Sequence, residues 1–127
     1  MRSSSEIDTV SKRAAKASGF SWGIAEEIGK SIKSLELFGI SGVENLNAYL
    51  KSLNKNKPEG PKQILKINEP LGKSFCPLYT GTALIDAAEN VLKLKTVKFS
   101  SIDYPILILP FINRLSYKIG RVVIIKM

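Results

Sequence analysis

The sequence predicts an α+β fold in which a helical N-terminal half of three helices packs on a small mixed sheet that carries one or two further helices. Apolar residues recur at three- and four-residue steps through the first half of the chain. A polar loop with two prolines and a glycine, NKNKPEGPK, follows at residues 54–62. The run RVVIIK near the end is typical of a strand. The predicted organisation is a single domain, 1–127, with a helical segment at residues 1–54, a loop at 55–63 and a mixed α/β segment at 64–127.

The first predicted helix begins at Ser5, a favourable N-cap, and ends at Gly19. Asp8 and Lys12 are expected to pair one turn apart on its outer face. Its buried side is predicted from helical spacing and comprises Ile7, Val10, Ala14 and Ala17.

The second predicted helix is capped by Ser21 and ends at Gly39. Gly23 and Gly29 each cost about 1 kcal/mol relative to alanine inside a helix, which indicates another backbone packed close by. The predicted buried arc contains Trp22, Ala25, Ile28, Gly29, Ile32 and Leu35. The indole of Trp22 is therefore predicted to anchor the helix start in the core.

The junction with the third helix, which opens at Ser41, carries two further expectations. Leu37 and Phe38 are expected to fill the corner between the two helices. Glu36 falls inside the apolar arc by angle, so a partner is required, either Lys33 or a basic residue of another element.

The second half is predicted to alternate short strands with helices. Thr80 or Thr82 is expected near a helix cap. At 105–119 either one helix or a strand followed by a helix fits, and the spacing of the apolar residues favours the helix. In chain order the other elements are a strand at 64–68, a helix over 80–91, a strand from Leu92 ending near Phe99, and a terminal strand at 121–126.

The composition excludes several kinds of chemistry. The chain has no histidine, which rules out Ser-His-Asp and Cys-His catalysis and the commonest zinc ligands. A single cysteine, Cys76, allows neither an internal disulfide nor a multi-cysteine metal site. We predict no cofactor and no metal.

The net charge of +8 raises the question of an anionic partner. The cations are mostly lysines spread along the chain, and only four are arginines, so nucleic acid is disfavoured as a partner. The start lacks the apolar region of a secretory signal, and no apolar run reaches the roughly 20 residues of a membrane span. We expect a cytoplasmic protein without membrane contact, partnered by itself or by another protein.

Two stretches supply candidate ligand-binding residues. In GFSWGIAEEIGKS, Ser21, the free amides of the helix start and Trp22 could receive an anion, with Glu26 beside the indole and expected to pair with Lys30. In SFCPLYTGTALID, Cys76 is the nucleophile candidate by elimination, and Thr80 and Thr82 could offer hydroxyl groups to an anion. Tyr79 and Tyr104 could line a pocket, and Asp86 is assigned to the outer face of its helix.

Three stretches, KRAAKASGFSWGIAEEIGKSIKSLELFGISG, CPLYTGTALIDAA and LPFINRLSYKIGRVV, resemble a bacterial family of uncharacterised proteins, the domain-of-unknown-function family numbered 3726. The resemblance implies no known reaction. It implies a longer chain, with a proline where Val122 stands, so this chain would be a shortened member.

Two functional hypotheses follow. The first is a small soluble binding or interaction module, with self-association as one form, because a terminal strand with an open edge invites a partner. The alternative is a small enzyme or enzyme subunit acting on an anionic metabolite. Its site would lie between the Ser21-Trp22-Gly23 helix start and the Cys76-Pro77-Leu78 turn.

Overall fold

A computed structural model of the chain describes residues 3–53 and 56–126. The α+β class is confirmed, with more helix than predicted. The chain divides into two compact units between Pro58 and Glu59. The elements in the described ranges are α1 Ser4–Ala17, α2 Trp22–Leu37, α3 Gly42–Leu53, β1 Ile67–Asn68, α4 Pro77–Asp86, α5 Ala88–Leu94, β2 Lys98–Phe99, a 3-10 turn Pro105–Ile108 and α6 Leu109–Ile119.

The first unit begins with α1, whose N-cap is Ser3 and not the predicted Ser5. The backbone of Ser3 is extended, and its hydroxyl accepts a hydrogen bond from the amide of Glu6 at 3.3 Å. The helix therefore starts two residues early, since Ser3 satisfies a free amide of the first turn. The predicted end is confirmed, because Gly19 adopts a φ of +103° that favours glycine.

The buried side of α1 differs from the predicted one. Ser11 and Ala15 are buried, whereas Val10 is 40% exposed. The cause is the contact with α2, where the backbone carbonyl of Asp8 lies 2.8 Å from the position that a Cβ on Gly29 would occupy. Asp8 accordingly faces α2 and pairs with Lys33 at 4.0 Å, so its predicted position on the outer face beside Lys12 is wrong.

The two glycines of α2 have different surroundings. Gly29 is in close contact with the backbone of α1, as predicted. No heavy atom beyond its chain neighbours and the adjoining backbone of α2 lies within 4 Å of a Cβ built on Gly23, so the same prediction is wrong for Gly23. The predicted arc from Ala25 to Leu35 is buried.

The prediction that Trp22 lies in the core is wrong, because its side chain is 56% exposed. Phe20, which is 1% exposed, fills the core at this point. The amide of Phe20 donates to Ala15 at 3.1 Å and that of Gly19 donates to Lys16 at 3.1 Å, the paired bonds of a Schellman motif. This motif turns the residue after the glycine inward, and Trp22 then begins the next helix on the surface.

The end of α2 repeats the motif and corrects a second prediction. Leu37 and Phe38 do not fill the corner, because they are 69% and 79% exposed. The amide of Ile40 donates to Leu35 at 3.0 Å, so the half-buried Ile40 is the residue that turns back towards the helix. Gly39, with a φ of +78°, makes this reversal possible.

Glu36 has a backbone partner, and the prediction of a basic partner is wrong. Its Oε1 accepts a hydrogen bond from the amide of Val43 at 2.9 Å. The carboxylate therefore caps α3 from the preceding helix, which satisfies a free amide and complements the positive end of the helix dipole. The buried face of α3 comprises Gly42, Leu46 and Tyr49.

The second unit contains a two-stranded parallel sheet that is much shorter than predicted. Ile67 aligns with Lys98, and Asn68 with Phe99. The buried side chain of Asn68 binds this pair together, since its Nδ2 donates to the carbonyl of Lys98 at 3.0 Å and to that of Leu65 at 2.7 Å.

The helix predicted over 80–91 is replaced by two helices with a break at Ala87. The N-cap position of α4 is Cys76 and not Thr80 or Thr82, because Pro77 occupies the first helical position, where a missing N–H costs no hydrogen bond. The strand predicted from Leu92 is wrong in its first half, since α5 continues to Leu94 and Lys95 ends it with a φ of +68°.

The helix favoured over 105–119 is confirmed as a 3-10 turn that leads into α6. The terminal strand predicted at 121–126 is wrong. Within the described residues that segment forms no regular structure, and Val122 and Ile124 are 89% and 80% exposed. Strand-forming side chains need a neighbouring strand, and the described chain supplies none here.

The core of the second unit lies between α4 and α6. Gly81 of α4 fits against Phe111, whose Cβ is 2.7 Å from the position of a Cβ on the glycine. Leu78, Leu107 and Leu115 are almost completely buried around this contact. None of the helices in residues 3–53 and 56–126 is long and apolar enough to cross a membrane.

We predict opposite effects for alanine at the two glycines of α2. Gly29→Ala should lower the free energy of unfolding by about 1–3 kcal/mol, because the new methyl group overlaps Asp8. Gly23→Ala should raise it by about 0.5–1 kcal/mol, because the space is open and alanine favours a helix. Urea denaturation followed by circular dichroism checks both, and equal stabilities would contradict the packing described for Gly29.

Candidate functional site

Cys76 lies at the start of α4 and is closed to solvent. The residue is 2% exposed. Its amide donates to the carbonyl of Glu59 at 2.7 Å, which fixes the start of the helix. A thiol must reach its substrate to act as a nucleophile, so this burial favours a packing role.

Thr80 and Thr82 lie on different sides of α4, since residues two apart in a helix point about 200° apart. Thr80 is fully buried, and its Oγ1 has no hydrogen-bond partner among the described residues. Thr82 is half-buried and donates to the carbonyl of Leu78 at 2.9 Å. The two hydroxyl groups therefore do not converge on one ligand.

A depression of about 250 Å³ lies on the outer side of α4. We name it the Tyr79 depression. It includes Thr82 but neither Cys76 nor Thr80. Its lining residues are Gly60, Pro61, Tyr79, Thr82, Ala83 and Asp86.

Tyr79 is the titratable group in this depression with a displaced pKa. Burial raises the pKa of the phenol above its usual value of 10.0, and the charge of the nearby Cys76 adds to the rise. Both effects oppose ionisation of the Tyr79 phenol. The phenol accordingly stays neutral at physiological pH and can donate a hydrogen bond.

At the start of α2 the predicted cap is confirmed, and the Ser21 hydroxyl accepts from the amide of Ile24 at 3.4 Å. Lys16 lies over the exposed indole of Trp22, with Nζ 5.7 Å from the ring centroid. Glu26 is exposed on α2. The sequence predicted that Lys30 would pair with Glu26. In the structure Lys30 pairs with Glu27 at 3.9 Å, so that prediction is wrong.

The candidate residues fall into different units of the chain. Ser21, Trp22 and Glu26 belong to the unit that ends at Pro58, whereas Cys76 and the two threonines belong to the unit that begins at Glu59. The hypothesis of an enzymatic site for an anionic metabolite stays a prediction. Among the residues that the structure describes, no three acidic or cysteine side chains are grouped as metal ligands.

The chain matches a family model described as "Protein of unknown function (DUF3726)" over residues 2–98. Because this match covers most of the chain, the protein belongs to that family. The match ends before the LPFINRLSYKIGRVV stretch, so it does not test that portion of the resemblance. No curated protein and no solved structure matches the chain.

The grouping of residues in the Tyr79 depression was not predicted. Tyr79, Thr82 and Asp86 follow one another at three and four residues, a spacing that places them on one face of a helix. This signal was available in the sequence. Gly60 and Pro61 come from a preceding loop, and no local pattern shows that they lie beside this face.

We predict that Cys76 reacts slowly while the chain is folded. Its alkylation by iodoacetamide should be at least about tenfold slower in buffer than in concentrated urea, because the thiol must first be exposed by local opening. Mass spectrometry of the modified chain measures both rates, with Cys76→Ser as the unreactive control. Equal rates would show that the thiol is accessible.

The raised pKa of Tyr79 predicts a dependence of stability on alkaline pH. In the folded chain the phenol holds its proton above pH 10, where the unfolded chain loses it, so the free energy of unfolding falls as the pH rises past 10. Tyr79→Phe should fall less steeply over that range. Urea denaturation at several alkaline pH values checks this, and identical slopes would contradict the assigned shift.

Proposed function

We propose that this chain is a small non-enzymatic interaction module that associates with a second copy of itself through a surface centred on Trp22. The observation that carries the proposal is the 56% exposure of the tryptophan. Tryptophan is among the residues most enriched at positions that dominate binding energy in protein interfaces, because burying its large ring removes much apolar area from water.

Lys16 holds the indole of Trp22 in one orientation. Its ammonium group lies 5.7 Å from the ring centroid, a cation–π arrangement that favours one orientation of the exposed ring. A side chain that already has its bound orientation loses less conformational entropy when a partner covers it. The pair therefore supports a binding role for Trp22.

Gly23 supports the same surface. Glycine in a helix costs about 1 kcal/mol relative to alanine. Beyond the chain neighbours and the adjoining backbone of α2, no described atom lies within 4 Å of a Cβ built at this position. Internal packing therefore gives no reason for it. A glycine beside an exposed indole lets the backbone of a partner approach closely.

Leu37, the last residue of α2, and Phe38, its C-cap, are also strongly exposed and lie at the far end of the helix. A helix of 16 residues is about 24 Å long, so they do not form one patch with Trp22. Tryptophan outranks leucine and phenylalanine as an interface anchor, which is why the proposal is centred on the helix start.

The test is light scattering coupled to size exclusion, together with tryptophan emission, from micromolar to near-millimolar chain concentration. The molar mass should rise towards that of a dimer, and the emission of the single tryptophan should shift to the blue as the indole leaves water. Association should strengthen with added salt, since two copies of net charge +8 repel each other.

Two variants locate the surface. Trp22→Ala should weaken association by about 2 kcal/mol or more. Gly23→Ala keeps the fluorophore and should weaken association while stabilising the fold, an outcome that general damage cannot produce. Tyr117→Ala, which removes an 82% exposed aromatic side chain in the other unit, is the matched control and should have no effect. A strict monomer with constant emission at every concentration would overturn the proposal.

A further inference from the structure

We propose that the Tyr79 depression binds a small primary ammonium group, whose charge faces the carboxylate of Asp86 and whose alkyl chain lies against the ring of Tyr79. The inference rests on residues of the second unit only. It is independent of the proposed self-association through Trp22.

The wall opposite α4 is held in place by hydrogen bonds. The carbonyl of Glu59 accepts from the amide of Cys76 at 2.7 Å, and its carboxylate accepts from the amide of Gly72 at 3.0 Å. The backbone of Gly60 packs directly against α4 at Tyr79. A Cβ added to Gly60 would be only 2.5 Å from the Cβ of Tyr79. The depression is therefore formed before a ligand arrives, which lowers the entropic cost of binding.

Two polar side chains of the depression, Asp86 and Thr82, present acceptor atoms to a ligand. Asp86 is the only charged residue in its lining and makes no ion pair within residues 3–53 and 56–126. The hydroxyl of Thr82 donates its hydrogen to Leu78, so lone pairs remain to accept from a ligand. A primary ammonium group has three donors and no acceptor, which matches this set.

Lys118 of α6 makes no ion pair with Asp86 among the described residues. Its Nζ donates to the carbonyl of Ile85 at 3.0 Å. The aromatic side chain of Tyr79 lines the depression and offers apolar surface to the alkyl chain of the ligand. A volume of about 250 Å³ accommodates a short alkylamine.

The test uses three probes of equal length and different charge: butylammonium, butanol and butyrate. Each is added to the ¹⁵N-labelled full chain, and amide shifts are recorded by NMR. Butylammonium should give saturable shifts at Gly60, Thr82 and Ala83 with a dissociation constant in the millimolar range, whereas butanol and butyrate should give none that saturate there. Equal binding of butanol, or preferred binding of butyrate, would overturn the proposal.

Matched variants separate a site from general attraction to acidic groups. Asp86→Asn should weaken butylammonium binding about fivefold, the upper range for an exposed ion pair. Thr82→Val should weaken it less. Asp103→Asn removes an exposed carboxylate of the same unit that does not line the depression, and binding should be unchanged. Equal losses in the Asp86 and Asp103 variants would overturn the assignment, and the amide spectrum of each variant reports whether it is folded.

Discussion

Close contact between helices at glycine is the constraint on which both units depend. In the first unit the missing side chain of Gly29 admits the backbone of α1 at Asp8. In the second, the missing side chain of Gly81 admits the ring of Phe111 from α6. Such contacts bring small buried residues of the facing helix to the separation at which dispersion attraction is strongest, and a gap of about 0.5–1 Å would forfeit a quarter to a half of it. The burial of Ser11 and Ala15, in place of larger neighbours, follows from this spacing.

The ends of α1 and α2 use the same turn, and this turn decides which aromatic side chains are available for binding. In each case a glycine with positive φ directs the next residue, Phe20 or Ile40, back towards the helix. Trp22, which follows the first of these turns, and Phe38, which comes just before the glycine of the second, are left on the surface. The exposure of Trp22 and Phe38 is therefore a consequence of helix termination and not of a gap in the core.

The two proposed binding surfaces depend on different interactions, apolar burial at Trp22 and attraction between charges at Asp86. At the start of α2 the exposed apolar area of Trp22 favours contact with another protein surface. Covering the indole removes apolar area from water, which is favourable mainly through entropy. In the Tyr79 depression a carboxylate with no ion pair among the described residues favours a small cation. Cys76, which the sequence left as the candidate nucleophile, is buried at the N-cap position of α4. Both proposals therefore concern binding at exposed side chains, whereas the burial of the thiol favours a packing role.

The sequence by itself determined the family, the first three helices and the glycine stops of α1 and α2, because motifs, caps and apolar periods act over a few neighbouring residues. It could not determine which of several apolar residues at a helix end is buried, as the fates of Trp22 and Phe20 show. Nor could it show that RVVIIK lacks a partner strand in the described chain, or that Gly60 lies on Tyr79. Those outcomes depend on contacts between residues far apart in the chain, and only the tertiary structure fixes them.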